Sequence, residues 1–249
     1  MIAAAGIAPD EENHAQLLAA IKAVVVSAGV TPGRLLGVQV FGAPGTFTYI
    51  PTDGTKSVVV EVQGGGGGGG ACVSTTSGQY SVGSAGQGGG YAKSRLTAGF
   101  SGVPVVVGAG GAGGAASTNN ASVGGASSFG ASISATGGGT GALGAIQTSS
   151  SMINGIGSPG AGSGGNICNI SPPGPPSTIV ISVPAACSAP SGGAVLGGGV
   201  EASSTSRAGF ANTGRGFGGG GGGALSNQNA AAFAGGAGAP GVVVIWEYA

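Results

Sequence analysis

The amino-acid sequence predicts a mainly β fold: short antiparallel strands around a core of glycine-rich, polyglycine II-like segments, with one N-terminal α-helix. Three observations predict it. Sixty of the 249 residues are glycine, clustered in tracts such as 64–70, 108–114, 137–139, 197–199 and 218–223. Only 6% of residues are charged and the mean hydropathy is +0.38. Apolar, β-branched runs bracket the tracts. Disordered chains are polar and charged, whereas this one must bury its backbone in something packed. Glycine loses more conformational entropy on folding than any other residue, so dozens of ordered glycines require dense contact. Extended three-fold backbones lying side by side provide it, because no side chain separates their hydrogen-bonding groups. Collagen requires glycine at its axis by the same logic, but the Gly-X-Y period is absent here.

The elements follow in order. Residues 9–28 are predicted to form a helix: Pro9 suits the first turn, Asp10, Glu11 and Glu12 complement the positive N-terminal end, and Gly29 suits the stop. Leu17, Ile21, Val24 and Ala28 form a seam, widened by Leu18 and Val25. Such a helix is marginal alone in water, so the seam needs a partner, in its own domain or in other copies. Strands are predicted at 36–41, 45–49 and 56–63, separated by Gly42-Ala-Pro-Gly45 and Pro51-Thr-Asp-Gly54. Residues 103–107, 178–183 and 242–248 are further strands. Residues 146–191 differ in composition, holding prolines 172, 173, 175, 176, 184 and 190 together with Cys168 and Cys187. They read as an ordered loop insertion with one strand, and long loops are commonly functional. The expected organisation is an attachment segment, 1–35, followed by a glycine-rich β tip domain, 36–249.

Composition excludes several chemistries. The formal net charge is +0, with no basic footprint for nucleic acid or anionic membrane. From Leu96 to Val200 there is no Asp, Glu, Lys, Arg or His, so that stretch offers no general acid, base or carboxylate ligand. Gly108-x-Gly110-x-x-Gly113 follows a strand, like a dinucleotide fingerprint. However, no helical stripe follows it and no acidic residue stands some 20 positions on. Residues 64–70 lack the Lys-Ser/Thr of a phosphate loop. Cys-x-x-Cys spacing is absent, so neither metal nor cofactor is expected. Three cysteines are an odd number, and free thiols are favoured over a Cys168–Cys187 pair. No basic region precedes an apolar core near the start, so no secretory signal is expected. An enzyme would need a carboxylate pair; Asp53, Glu61, Glu201 and Glu247 are the candidates outside the helix, with Glu61 and Glu247 on strands expected to be neighbours. Among the aromatics, Tyr91, Phe100 and Phe129 read as structural. Tyr80, Phe210 and Phe233, in polar surroundings, suit exposed binding anchors.

A resemblance adds to this reading. Gly6-Ile-Ala-Pro-Asp10 leads into Gln16-Leu-Leu-Ala-Ala-Ile21. Gly45-Thr-Phe-Thr-Tyr-Ile-Pro51 and Gly54-Thr-Lys-Ser-Val-Val-Val-Glu-Val-Gln63 run into polyglycine. Val107-Gly-Ala-Gly-Gly111, Gly125-Ala-Ser-Ser-Phe-Gly130 and Gly238-Ala-Pro-Gly-Val-Val-Val-Ile-Trp-Glu-Tyr248 follow. In this order they resemble the glycine-rich C-terminal domain of tailed-bacteriophage tail fibres and related adhesins, except over 146–191. The resemblance implies a virion tip protein, assembled in the host cytoplasm, that binds a bacterial surface receptor without catalysis. The receptor would be lipopolysaccharide, an outer-membrane protein or a pilus. Other tail or baseplate proteins would be further partners. A homotrimer is implied, with Leu17, Ile21 and Val24 as the oligomerisation residues. The expected contact surface is loops 72–82, 115–123, 146–191 and 201–213. Its candidate residues are Tyr80, Asn119, Asn169, Arg207 and Phe210, with Arg207 and Phe210 as anchors because Arg and aromatic side chains dominate binding hot spots. The competing expectation is a structural tail component that touches no receptor.

Overall fold

A computed structural model describes residues 33–149, 151–153, 157–174, 178–182, 185–201 and 211–249. Sixteen strands, numbered along the chain, build four antiparallel sheets among them. Sheet A runs β1 (Leu35–Phe41), β16 (Val242–Tyr248), β3 (Ser57–Gln63), β5 (Tyr91–Leu96), β12 (Cys168–Ile170). Sheet B runs β11 (Gly162–Ser163), β8 (Ile133–Ala135), β7 (Ser127–Phe129), β6 (Pro104–Val107), β2 (Gly45–Thr48). Sheet C joins β15 (Leu225–Ser226), β4 (Tyr80–Val82) and β9 (Ile146–Gln147). Sheet D joins β10 (Ser151–Ile153), β13 (Thr178–Ser182) and β14 (Ala185–Ala186).

Sheets A and B face each other because alternate residues of their β-branched strands are apolar. Val58, Val60 and Val62 of β3, with Val243 and Ile245 of β16, meet Val105, Val107, Phe129, Ile133 and Ala135. Tyr49 and Phe129 stack obliquely at 5.6 Å between ring centroids. Each such side chain contributes about 1.5–3 kcal/mol when fully buried. A smaller cluster, Tyr80, Val82, Ala186 and Leu225, lies under sheet C.

The glycine tracts connect these two apolar regions. Residues 64–70 continue directly from β3, and their amides point in three directions in turn. Gly64, Gly67 and Gly70 donate to Gly90, Gln87 and Ser84; Gly65 and Gly68 donate to Gly125 and Ser122; Gly66 and Gly69 donate to Ala239 and Gly236. Each series steps by three along 64–70 and backwards by three along its partner, so all three partners run antiparallel. The carbonyls repeat the pattern with parallel neighbours. Gly138 and Gly141 donate to Gly65 and Gly68, Gly111 and Gly114 to Gly66 and Gly69, and Gly221 and Ala224 to Gly67 and Gly70. A period of three residues is the screw of the polyproline II backbone. One glycine helix is therefore enclosed by six, which alternate as acceptors and donors. A Cβ at any position from 64 to 70 would lie under 3.0 Å from a neighbour's backbone.

Two expectations are corrected. The described residues contain no helix, so the fold is mainly β with antiparallel sheets, and the expected class of a β protein bearing an N-terminal helix does not stand. The segment 9–28, with Leu17, Ile21 and Val24, lies outside the described residues. The stretch 146–191 carries β9 to β14 in place of one strand, and β9, β11 and β12 edge sheets built by the rest of the chain. It is woven into the scaffold by backbone pairing.

Candidate functional site

The glycine bundle separates two chemically different ends. From Gly64 to Gly70 the central helix rises about 19 Å at ~3.1 Å per residue. At its start stands the A–B sandwich, with Arg34, Asp53, Lys56, Glu61, Lys93, Arg95 and Glu247 on or beside its strands. At its far end the chain turns through 72–79, 115–121, 145–149 and 227–233. These loops contain no charged residue but many amides and hydroxyls, among them Thr76, Gln79, Asn119, Asn120, Gln147, Gln228 and Asn229.

The four loops are tied together. Cys72 N–H donates to Phe233 O at 3.0 Å and Ser117 N–H to Cys72 O at 3.1 Å. Gly78 N–H donates to Gln228 Oε1 at 3.0 Å. The 145–149 loop is held by β9 pairing with β4 and by the Tyr80 hydroxyl on Ser149 O, and Leu143 N–H just before it donates to Asn119 Oδ1 at 3.1 Å. Asn229 N–H donates to Thr76 O at 3.3 Å. Ser117 and Asn229 have positive φ, at 63° and 53°, which non-glycine residues adopt only when their surroundings fix them. This end is cross-linked by backbone and amide side-chain hydrogen bonds together. Burial raises the Cys72 thiol above its ordinary range.

The expected site residues separate on this framework. Asn119 is exposed at the uncharged end. Tyr80 lies on the same end but is buried, 1% exposed, and its hydroxyl donates to Ser149 O. It packs under sheet C, so its ring offers no anchor surface: a correction to its expected role. Asn169 is exposed on β12, at the sandwich end, with its amide bonded to Gly165 N and O. The structure therefore does not bring Asn169 to Asn119. Arg207 and Phe210 lie outside the described residues. Asn212 accepts from Gly222 N–H on the flank of the bundle. Asn227, Gln228 and Asn229 were not among the expected residues, although three successive amide side chains after an apolar strand are a legible loop signal.

Sheet A splits the expected Glu61 and Glu247 pair. Glu247 pairs with Val58 and so shares the inner face of sheet A; Glu61 pairs with Val244 and Lys93 on the outer face. The two carboxylates stand on opposite sides of the sheet and cannot flank one bond. Glu247 accepts from Tyr49 OH at 2.7 Å, Thr52 Oγ1 at 2.7 Å, Gln39 Nε2 at 3.0 Å and Thr52 N at 3.1 Å. Burial opposes its charge, but those hydrogen bonds from Thr52, Tyr49 and Gln39 outweigh it and hold the carboxyl below its ordinary range. Burial, then the bond to Glu247, pushes the Tyr49 phenol far up. Glu61 is bound by Lys93 Nζ at 2.9 Å. In the dinucleotide-like run, Gly108, Gly111 and Gly114 already donate to Ser127 Oγ, Gly66 O and Gly69 O, leaving those amides no phosphate to cradle. Among the described residues, no three His, Cys, Asp or Glu side chains converge as a metal site.

No curated protein matches the chain. The model of the glycine-rich domain family matches residues 42–248, which takes in every glycine tract, the four uncharged loops and fifteen of the sixteen strands. The chain thus belongs to the glycine-rich domain family.

Proposed function

We propose that this protein is the receptor-binding tip of a bacteriophage tail fibre or phage-tail-like particle, binding a bacterial surface receptor without catalysis through its uncharged end. The observation that carries the reading is the joining of four uncharged, amide- and hydroxyl-rich loops at one end of a closed glycine bundle. A surface fixed before contact loses little ordering entropy on binding. Its groups both donate and accept hydrogen bonds, which suits neutral saccharide or exposed loop backbone on a cell surface. Several tips on one particle raise avidity by orders of magnitude when the geometry lets them engage together. The likeness of residues 45–63 and 238–248 to tail-fibre tip sequences supplies the biological setting.

The test is adsorption blocking. Purified protein is added to candidate host cells before the parent particle. The expected result is a dose-dependent loss of attachment. A folded protein that neither binds the cells nor blocks attachment removes the receptor reading and leaves a structural tail component.

A further inference from the structure

Sheet A has an inner face that forms the sandwich core and an outer face with a different character. Its strand packing runs inward, to β6, β7 and β8. The outer face is built by the alternate residues: Val38 and Val40 of β1, Val244, Trp246 and Tyr248 of β16, Val59 of β3. The outward face of an antiparallel sheet is ordinarily polar. Here Val38 and Val40 are 42% and 60% exposed. Beside them lie two open clefts that share Val59 and Tyr248. One, of ≈ 290 Å³, is also lined by Gly33, Ser57 and Arg95, and the other, of ≈ 220 Å³, by Glu61, Lys93 and Trp246. The Trp246 indole N–H is buried and has no acceptor among the described residues. The surface is therefore an apolar, aromatic strip bordered by two cations, one of which, Lys93, is shared with Glu61.

We propose that residues 1–32 of the same chain cover this outer face. The described chain begins at Gly33, which lines the larger cleft and is tied by its N–H to Ala249 O at 3.0 Å. Gly33, the residue to which that segment is covalently joined, thus stands at the edge of the face. Its composition is complementary: Leu17, Leu18, Ile21, Val24 and Val25 are apolar, and Asp10, Glu11 and Glu12 oppose the single Lys22. Those carboxylates match the Arg95 and Lys93 border. The reach is sufficient. Val25 lies eight residues before Gly33, about 27 Å of extended chain, while the four strand spacings of sheet A span about 19 Å. The family match begins at residue 42, so both 1–32 and β1, the edge of the face, lie outside it. This inference concerns the base of the molecule and stands or falls apart from receptor binding at the other end.

Trp246 is the only tryptophan and lies on this face, so intrinsic fluorescence of the full chain reads the proposal directly. A covered face gives blue-shifted emission and weak quenching by acrylamide. Leu17→Asp with Ile21→Asp, outside the described strands, is expected to shift the emission red and raise quenching several-fold, at unchanged mass. Val40→Asp is expected to do the same from the sheet side. Replacing Asp10, Glu11 and Glu12 by Asn, Gln and Gln gives a smaller rise, mimicked by added salt in the parent chain. Full quenching of Trp246 in the parent chain, or no response to either apolar variant, overturns the proposal. Protection that grows with protein concentration alongside a multimer mass also overturns it, and assigns the face to a second copy.

Discussion

Glu247 shows how a single charged residue is kept in an apolar sandwich. It is fully buried, and its charge survives because four donors from Gln39, Tyr49 and Thr52 converge on it. Its carboxyl is held below the ordinary 4.5, which fixes the sign of a pH dependence. A carboxyl with a depressed folded pKa contributes stability that is present above its unfolded pKa and lost as pH falls through the folded one. Stability should therefore fall as pH drops below about 4.5. Glu247→Gln should flatten that fall while lowering stability at neutral pH by about 1–3 kcal/mol, because the amide turns donors toward donors. Urea denaturation at several pH values measures both; an unchanged acid slope in the variant would place the acid sensitivity elsewhere. The sequence shows Glu247 only as a carboxylate in a closing strand. Its partners lie about 200 residues away in the chain, so no local pattern reveals that it is structural.

At the scale of elements, the glycine helices are held by backbone alone. A Cβ on Gly67 would meet the carbonyl of Gly139, and backbone enclosed by six neighbours has nowhere to move. Gly67→Ala should destabilise by about 3 kcal/mol or more, at or beyond the upper end of ordinary overpacking. Gly198 has nothing within 4 Å of the same added atom and no positive φ. Gly198→Ala should be neutral or stabilising by up to about 1 kcal/mol. Thermal melts of the two variants separate a packed lattice from a string of linkers, since a linker would tolerate both. The need for dense packing was legible in apolar tracts without charge. Which tract sits in the centre was not, because glycines carry no side-chain label and the six partners are set by the order of the strands. Valine-rich β3 and β16 were legible for the opposite reason. Sheet B was harder: β7 and β8 are Ser-Ser-Phe and Ile-Ser-Ala, small residues that pair well in a covered sheet yet carry little periodic signal.

At the scale of the whole molecule, the strands and glycine helices divide the labour between two ends. The sandwich end holds exposed apolar residues such as Leu35, Phe47 and Ile50, the last 73% exposed; the far end holds amides and hydroxyls without charge. The long uncharged stretch 96–200 does not by itself show the contrast, because it supplies sandwich strands β6 to β8 as well as two of the four far loops. The sequence could not show that Asn119 and the 227–229 run share one end while Asn169 stays with the sandwich, since that follows from the direction of each helix. If the uncharged end binds the receptor, bulk placed there should act without unfolding anything. Ser77 and Thr148 are exposed on two of its loops. Ser77→Trp with Thr148→Trp should remove at least ten-fold of the blocking potency, equivalent to about 1.4 kcal/mol of binding, with an unchanged melting temperature. Ile50→Ser, at the other end, should retain full potency. The reverse pattern, potency lost with Ile50→Ser and kept in the double variant, would move the receptor surface to the sandwich. A rigid spacer of about 19 Å makes the two outcomes separable, because a substitution at one end has no side-chain path to the other.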